Sequence, residues 1–265
     1  MNISDKLNAA AEILADHRLA GRRFDRFPEN LRPADQDEAY SLQARLHERL
    51  TAKGCGPLAG RKIGCTTPVM QAYLKIDSPC AGGVFAPTAR ERYGIFQFED
   101  FRRVGVECEI AVRLGADLTP AGGPYTIETV SPAVAACMAA IEVVDDRYVD
   151  YPSLDTPTLI GDDFFDAGCV LGQPVTDWRS LDLATLPGRM TINGTEVGNG
   201  VGGDIMGHPL AALAWLASHT AACGETLPAG SFVLLGSVVQ TKWLAKGDEV
   251  VAQIDGLGEA VARFD

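Results

Sequence analysis

The sequence predicts an α+β protein, helical at its start and β-rich afterwards, and three observations carry that reading. Ile3, Leu7, Ile13 and Leu14 recur at helical intervals near the N-terminus. From Arg61 onward, short strand-like runs are separated by Gly and Pro, and only Pro209 to Cys223 returns to a helical pattern. Helices between the strands are too few for a doubly wound parallel sheet.

In chain order, a second helix is expected from about Asp35, where Asp35 and Glu38 are spaced as a capping pair, through Leu42, Leu46 and Leu50. Gly54 to Gly60 ends it. This gives an N-terminal helical region, residues 1–58, packed on a β-rich catalytic core, residues 59–265, as a single functional unit. Asn193-Gly194, between Met190-Thr191-Ile192 and Thr195-Glu196-Val197, signals a hairpin because both turn positions tolerate positive φ. Lys246-Gly247-Asp248 is a weaker hairpin signal. Gly82-Gly83 and the run Gly198 to Gly203 lack dinucleotide spacing and read as loops. His208-Pro209 opens the late helix and Gly224 stops it.

Composition narrows the function classes. The 265 residues are 46% hydrophobic, enough for a real core, and 23 Lys and Arg against 35 Asp and Glu give a net charge of −12. Such a surface repels phosphate backbones and anionic membranes, so neither nucleic acid nor membrane is expected as a partner. Seven cysteines with no close pair suggest reduced thiols, and the N-terminus has no export signal, so a cytoplasmic location is expected. The apolar stretch Leu210 to Cys223 is too short to cross a bilayer. Four His without paired spacing disfavour zinc, and no Gly-x-Ser-x-Gly elbow points to a serine hydrolase.

The chemistry-bearing residues are carboxylates and one lysine. Val106 to Leu114 alternates strictly, which puts Glu107 and Glu109 together on the face opposite Val106, Cys108 and Ile110. Two such carboxylates suit a hard divalent ion, or else they line a solvated polar face. Glu142 lies in the apolar run Ala140 to Val144, so it must be paired, protonated or metal-bound; a salt bridge to Arg147 or a Lys is the alternative. Asp145 and Asp146 point opposite ways in a strand. Lys62, between Gly60 and Gly64, can serve as acid or base if burial lowers its pKa, or it is a surface charge.

The order of these segments resembles the 2-keto-4-pentenoate hydratase and 4-oxalocrotonate decarboxylase group of the fumarylacetoacetate hydrolase superfamily, over nearly the whole chain. The residues that carry it are Gly60-Arg61-Lys62-Ile63-Gly64-Cys65-Thr66 with Met70-Gln71, Val106 to Ala111 through Asp117-Leu118, and Ile141-Glu142-Val143-Val144-Asp145 with Arg147. Val170-Leu171-Gly172, Leu210 with Trp215-Leu216-Ala217, and Leu257-Gly258-Glu259-Ala260-Val261 follow. The resemblance implies a mixed β-roll core, a homo-oligomer or an assembly with a related subunit, and Mg²⁺ or Mn²⁺ held by Glu107, Glu109 and Glu142. It implies Lys62 as the proton-moving residue and Gly64, Gln71, Arg147, Asp162 and Ser237 as substrate-binding positions. The substrate it implies is a small anionic 2-oxo- or 2-hydroxy-enoic acid. Hydration of a 2-hydroxy-2,4-dienoate comes first and decarboxylation of a 2-oxo-3-enedioate second, with a non-catalytic partner subunit as the reading from another class.

Three departures mark the substrate end. Cys80 and Ala81 stand before Gly82 where an acidic and an aromatic residue are expected. Gly161-Asp162-Asp163-Phe164-Phe165-Asp166 replaces an Asp-Asn-Ala-Ser run, so polar contacts become aromatic bulk at Phe164 and Phe165. Leu235-Gly236-Ser237 replaces a Thr-Gly segment, and Lys242 beyond it is either an anion contact or, as favoured here, an edge-strand charge.

Overall fold

The computed structural model describes residues 2–67, 71–72 and 76–265; Met70 lies outside them. Helix α1 (Ile3–Leu19) is capped by Asn2, whose side chain accepts from the Asp5 amide, and α2 (Gln36–Leu50) by Asp35, which accepts from Glu38 at 2.9 Å. The helices pack as a pair, joined by Lys6 to Glu38 at 2.6 Å. Leu7, Leu14, Leu42 and Leu46 share a core with Tyr148, Leu159, Ile160 and Phe164. Fully burying one such Leu stabilises the fold by roughly 1.5–3 kcal/mol. The N-terminal helices therefore rest on the segment around Phe164, not on an unrelated face.

The larger sheet has seven strands in the order β2-β1-β10-β5-β6-β7-β3. They are β1 (Leu58–Gly64), β2 (Cys80–Phe85), β3 (Ala89–Glu91), β5 (Val104–Leu114), β6 (Val134–Asp145), β7 (Asp166–Leu171) and β10 (Phe232–Trp243). Four strands separate β2 from β7 in that order, yet the two are in contact, so the sheet curls into a roll. Its inside is filled by Val84, Ala111, Met138, Ala140, Cys169, Leu171, Phe232 and Leu234. The other face of β5 and β6, with Val106, Cys108, Ile110, Ile141 and Val143, joins the main core. That core is shared with a five-stranded sheet, β4 (Tyr93–Phe96), β12 (Gly258–Phe264), β11 (Glu249–Ile254), β8 (Pro187–Ile192) and β9 (Thr195–Val201), in that order. The α+β expectation holds.

Several local readings need correction. Asn193 and Gly194 do form the β8–β9 hairpin, with φ of 52° and 77°. Lys246-Gly247 is a turn but not a hairpin, because it leads from β10 in one sheet to β11 in the other. Gly82 and Gly83 belong to β2, and Gly198 to Val201 to β9, not to loops. Small residues are needed there: a Cβ on Gly83 would lie 2.7 Å from the His47 ring, and one on Gly198 2.4 Å from Val239. Lys242 is no edge charge, since β10 is an interior strand that pairs Lys242 with Val106 of β5. Beyond the expected late helix, α5 (Pro209–Ala222), whose cap His208 accepts from Leu210, the described residues include two short helices, α3 (Ile127–Val130) and α4 (Thr156–Gly161). Asp155 caps α4 by accepting from Thr158. No described helix is long and apolar enough to cross a membrane.

Candidate metal centre

Register on β5 and β6 sets the site. Glu107 stands directly opposite Glu142 across the antiparallel pair, and Glu109 lies two residues along on the same face. Like charges placed opposite each other destabilise a sheet, so this arrangement works against folding and calls for a counter-charge. Glu107, Glu109 and Glu142 each offer an oxygen within 4.8 Å of the others. Glu109 and Glu142 are buried and Glu107 is partly so. A solvated polar face is thereby excluded for β5.

Two of the three carboxylates are oriented from β10. Thr241, near the end of β10, donates a short hydrogen bond to Glu107 Oε1. The Gly236 amide, also on β10, donates to Glu109 Oε2 at 2.7 Å. Gly236 has φ of 130°, and a Cβ there would lie 2.6 Å from Thr66 Oγ1, so the amide reaches Glu109 in a conformation that glycine favours. Glu109 Oε1 and Glu142 Oε1 have no hydrogen-bond partner. Burial, and then the Glu142 charge, push the Glu107 carboxyl up to about 7, and burial with both neighbours pushes Glu109 well above its ordinary range. Orphaned, mutually repelling, buried oxygens of this kind fit a hard divalent cation such as Mg²⁺ or Mn²⁺.

Among the described residues, the counter-charge is Lys62. Curling of the sheet brings it from β1, three strands away from β6, to 3.0 Å from Glu142 Oε1, an ion pair between two buried groups. Its Nζ donates to the Phe164 carbonyl at 2.6 Å and lies 5.3 Å from that residue's ring centroid. Lys62 is 3% exposed, and burial penalises its ammonium. The Glu142 and Glu107 charges outweigh that penalty, so the amine is raised above its ordinary range, contrary to the lowering that burial alone suggested. The salt-bridge alternative for Glu142 is realised with Lys62, and not with Arg147.

Gly64 lies beside the lysine; a Cβ on it would begin 3.6 Å from Lys62 Nζ. Gln71 donates to the Cys65 carbonyl at 2.9 Å. Ser237 Oγ lies 2.6 Å from the Val239 carbonyl and 3.1 Å from the Cys108 carbonyl, which share its one hydrogen, inside the irregular pairing of β10 with β5. Arg147 and Asp162 are bonded to each other, Nε to Oδ2 at 2.8 Å, behind the segment 162–166. Asp145 accepts from the Arg102 and Arg103 amides, and Asp146 accepts from the Arg103 guanidinium, so both are structural. Cys80 and Ala81 are buried in β2, where the Ala81 carbonyl accepts from Gln43.

Sequence reasoning missed Thr241, the Phe164 carbonyl and Asp166. The Asp166 carboxyl is buried, has Oδ1 unpartnered, and is pushed up to about 8 by burial and the charges of Asp163 and Glu142. An acid inside an aromatic run was the available signal for Asp166, whereas Thr241 carries none.

Residues 81–265 match the family described as fumarylacetoacetate (FAA) hydrolase C-terminal. Over 256 residues the chain is 32% identical to 2-keto-4-pentenoate hydratase 1 of Dechloromonas aromatica (strain RCB), covering 97% of this chain and 96% of that one. It is 30% identical over 227 residues to a 4-oxalocrotonate decarboxylase of Pseudomonas putida, 86% of this chain and 84% of the relative. Among solved structures, the 4-oxalocrotonate decarboxylase from Pseudomonas putida G7 complexed with magnesium and adipate superposes with a TM-score of 0.92 at 26% identity, covering 100% of this chain and 99% of that one.

Proposed function

The chain belongs to the fumarylacetoacetate hydrolase C-terminal family, and on that premise we propose that it is a divalent-metal-dependent lyase that adds water to a 2-hydroxy-2,4-dienoate. The observation that carries the reading is the set of three clustered carboxylates, with buried unpartnered oxygens, facing an ammonium held by a main-chain carbonyl. Glu107, Glu109 and Glu142 would hold Mg²⁺ or Mn²⁺. When bound, the cation supplies Lewis acidity toward the carboxylate and neighbouring oxygen of a 2-oxo or 2-hydroxy acid.

The remaining work falls to the chain's own groups. Lys62, buried beside Glu142 and held by the Phe164 carbonyl, acts first as an acid in the proposed reaction. It gives that proton to C5 of the dienol, and the proton lost from the 2-hydroxyl replaces it. The product of that step is a 2-oxo-3-enoate, whose C4 is open to water. Phe164 keeps the amine from swinging toward solvent by accepting one of its three N–H bonds. Gly64 leaves room beside the amine, while Gln71, Arg147, Asp162 and Ser237 complete the proposed substrate end, the last three through the segments they brace.

Decarboxylation of a 2-oxo-3-enedioate uses the same metal end and the same lysine, losing carbon dioxide from the remote carboxylate in place of gaining water; the decarboxylase relative supports it as the second reading. The exposed Tyr93 and Ile95 on edge strand β4 support self-association, and we place the enzyme in the cytoplasm as a homo-oligomer or with a related subunit. The test is a Mg²⁺- and Mn²⁺-dependent assay on 2-hydroxy-dienoates and 2-oxo-enedioates, with chelator controls and product masses. Gain of water is expected, loss of carbon dioxide would select the second reading, and inertness of the metal-loaded protein would overturn both. Lys62→Met should bind metal and lose turnover.

A further inference from the structure

Asp163, Phe164 and Phe165 have φ of 57°, 48° and 70°, three successive non-glycine residues in the left-handed region. Phe164 and Phe165 each cost about 1–2 kcal/mol relative to ordinary backbone, Asp163 less, so the segment persists only where its surroundings force it. Two side chains from the N-terminal helices and one from the core do so. Arg18, near the end of α1, contacts Asp162 Oδ1 at 2.6 Å and Asp163 Oδ2 at 3.0 Å, and also donates to the Asp162 carbonyl. His47, on α2, meets Asp163 Oδ1 at 2.6 Å, and the Gly83 amide donates to the same oxygen at 2.8 Å. Opposite a carboxylate, the ring nitrogen of His47 carries the hydrogen. Arg147 and the Tyr148 hydroxyl hold Asp162 Oδ2, both at 2.8 Å, and Arg147 also donates to the carbonyls of Asp162 and Asp166.

The result of this clamp is a main-chain oxygen aimed at an amine. Phe164 is the middle of the three left-handed residues, and its carbonyl receives Lys62 Nζ. We infer that Arg18 and His47 are positioning residues for Lys62: by fixing Asp162 and Asp163 they set the backbone of residues 163–165, and so place the Phe164 carbonyl that holds the lysine amine. On this inference, which rests on the proton-moving role proposed for Lys62, the helical region contributes to the chemistry without touching the substrate. A released segment would relax toward right-handed backbone, turn the carbonyl away, and leave the amine tethered by Glu142 alone.

The experiment compares His47→Leu, which keeps bulk against Phe85 and removes the donor, with His47→Gln, which restores an N–H, alongside Arg18→Met. Activity, Mg²⁺ binding by calorimetry, amide exchange of residues 161–168, and the side-chain ¹⁵N signal of Lys62 are measured on full-length protein. For His47→Leu and Arg18→Met, kcat should fall about 10- to 100-fold with KM and Mg²⁺ affinity unchanged. Exchange at residues 163–166 should rise and the Lys62 signal broaden or vanish, with His47→Gln recovering both. Equal losses in His47→Leu and His47→Gln, or an unchanged segment and Lys62 signal in a folded His47→Leu protein, would overturn the inference. If Arg18→Met fails to fold, the His47 pair decides alone. If the wild type turns over nothing, the proposed function fails while the exchange and ¹⁵N arms still decide whether the clamp sets Lys62.

Discussion

Glu107→Gln should change stability in opposite directions with and without metal. In chelator at pH 8 the wild-type fold must keep Glu107 ionised beside Glu142, although burial and that neighbour have pushed its carboxyl from 4.5 up to about 7. That displacement corresponds to roughly 3 kcal/mol of destabilisation, an upper value because Glu107 is partly open to screening by water. A neutral amide removes it and still accepts from Thr241, so the variant should unfold later, by about 2–4 °C for each kcal/mol gained in a chain near this size. The sign with pH follows from proton uptake. A carboxyl raised in the fold binds more protons folded than unfolded between 4.5 and 7, so wild-type stability falls as pH rises through that window. The advantage of Glu107→Gln should therefore be small at pH 5 and full at pH 8. With Mg²⁺ at about a hundredfold over its Kd the wild type gains about 2.7 kcal/mol, a gain the variant should largely lose. The assay is thermal and urea unfolding across pH, in chelator and in Mg²⁺. A variant less stable than wild type in chelator at pH 8, or one stabilised equally by Mg²⁺, would refute the shared-cation reasoning.

Two further substitutions probe the shell around the carboxylates. Thr241→Val removes the hydroxyl that orients Glu107 and should weaken Mn²⁺ binding about 10- to 100-fold in a calorimetric titration, with Thr241→Ser close to wild type. Gly236→Ala puts a Cβ 2.6 Å from Thr66 Oγ1 at a φ of 130°, so it should cost about 1–3 kcal/mol in urea unfolding and weaken metal binding by moving the amide off Glu109.

What was legible in the sequence was whatever depends on period and local chemistry. Alternation placed Glu107 and Glu109 on one face, an acid in an apolar run marked Glu142, and Asp35, Asn193-Gly194 and His208-Pro209 marked two helix starts and a hairpin. The helical start and β-rich remainder followed from the same periodicities. Curling of the seven-stranded sheet was not legible from period, because nothing in Arg61-Lys62-Ile63 states that β1 faces β6 across the roll interior. The raised lysine depends on that curling, which is why burial considered alone gave the wrong direction. Gly82-Gly83 misled for a related reason: the glycines admit the His47 ring and the Asp163 main chain, close approaches between elements far apart in sequence.

The segment 161–166 shows why side-chain comparison reads a site imperfectly. Judged by side chains, Phe164 and Phe165 replace polar contacts with aromatic bulk. In the fold, the polar contact to Lys62 comes from the Phe164 main chain, which any residue carries, and what must be encoded is the backbone conformation that aims it. That conformation is left-handed at two phenylalanines that do not favour it, so its specification sits elsewhere, in Arg18, His47, Arg147 and the two aspartates they grip. The aromatic rings then have a separate part: Phe164 joins the apolar core of the N-terminal helices, and Phe165 packs edge-on against Tyr148 and Tyr151. The same residues therefore bind the helical region to the roll and hold the lysine at its carboxylates, so a change in helix packing at Leu42 or Leu46 should reach Lys62 through this segment, while Glu107 and Glu109, oriented from β10, stay in place.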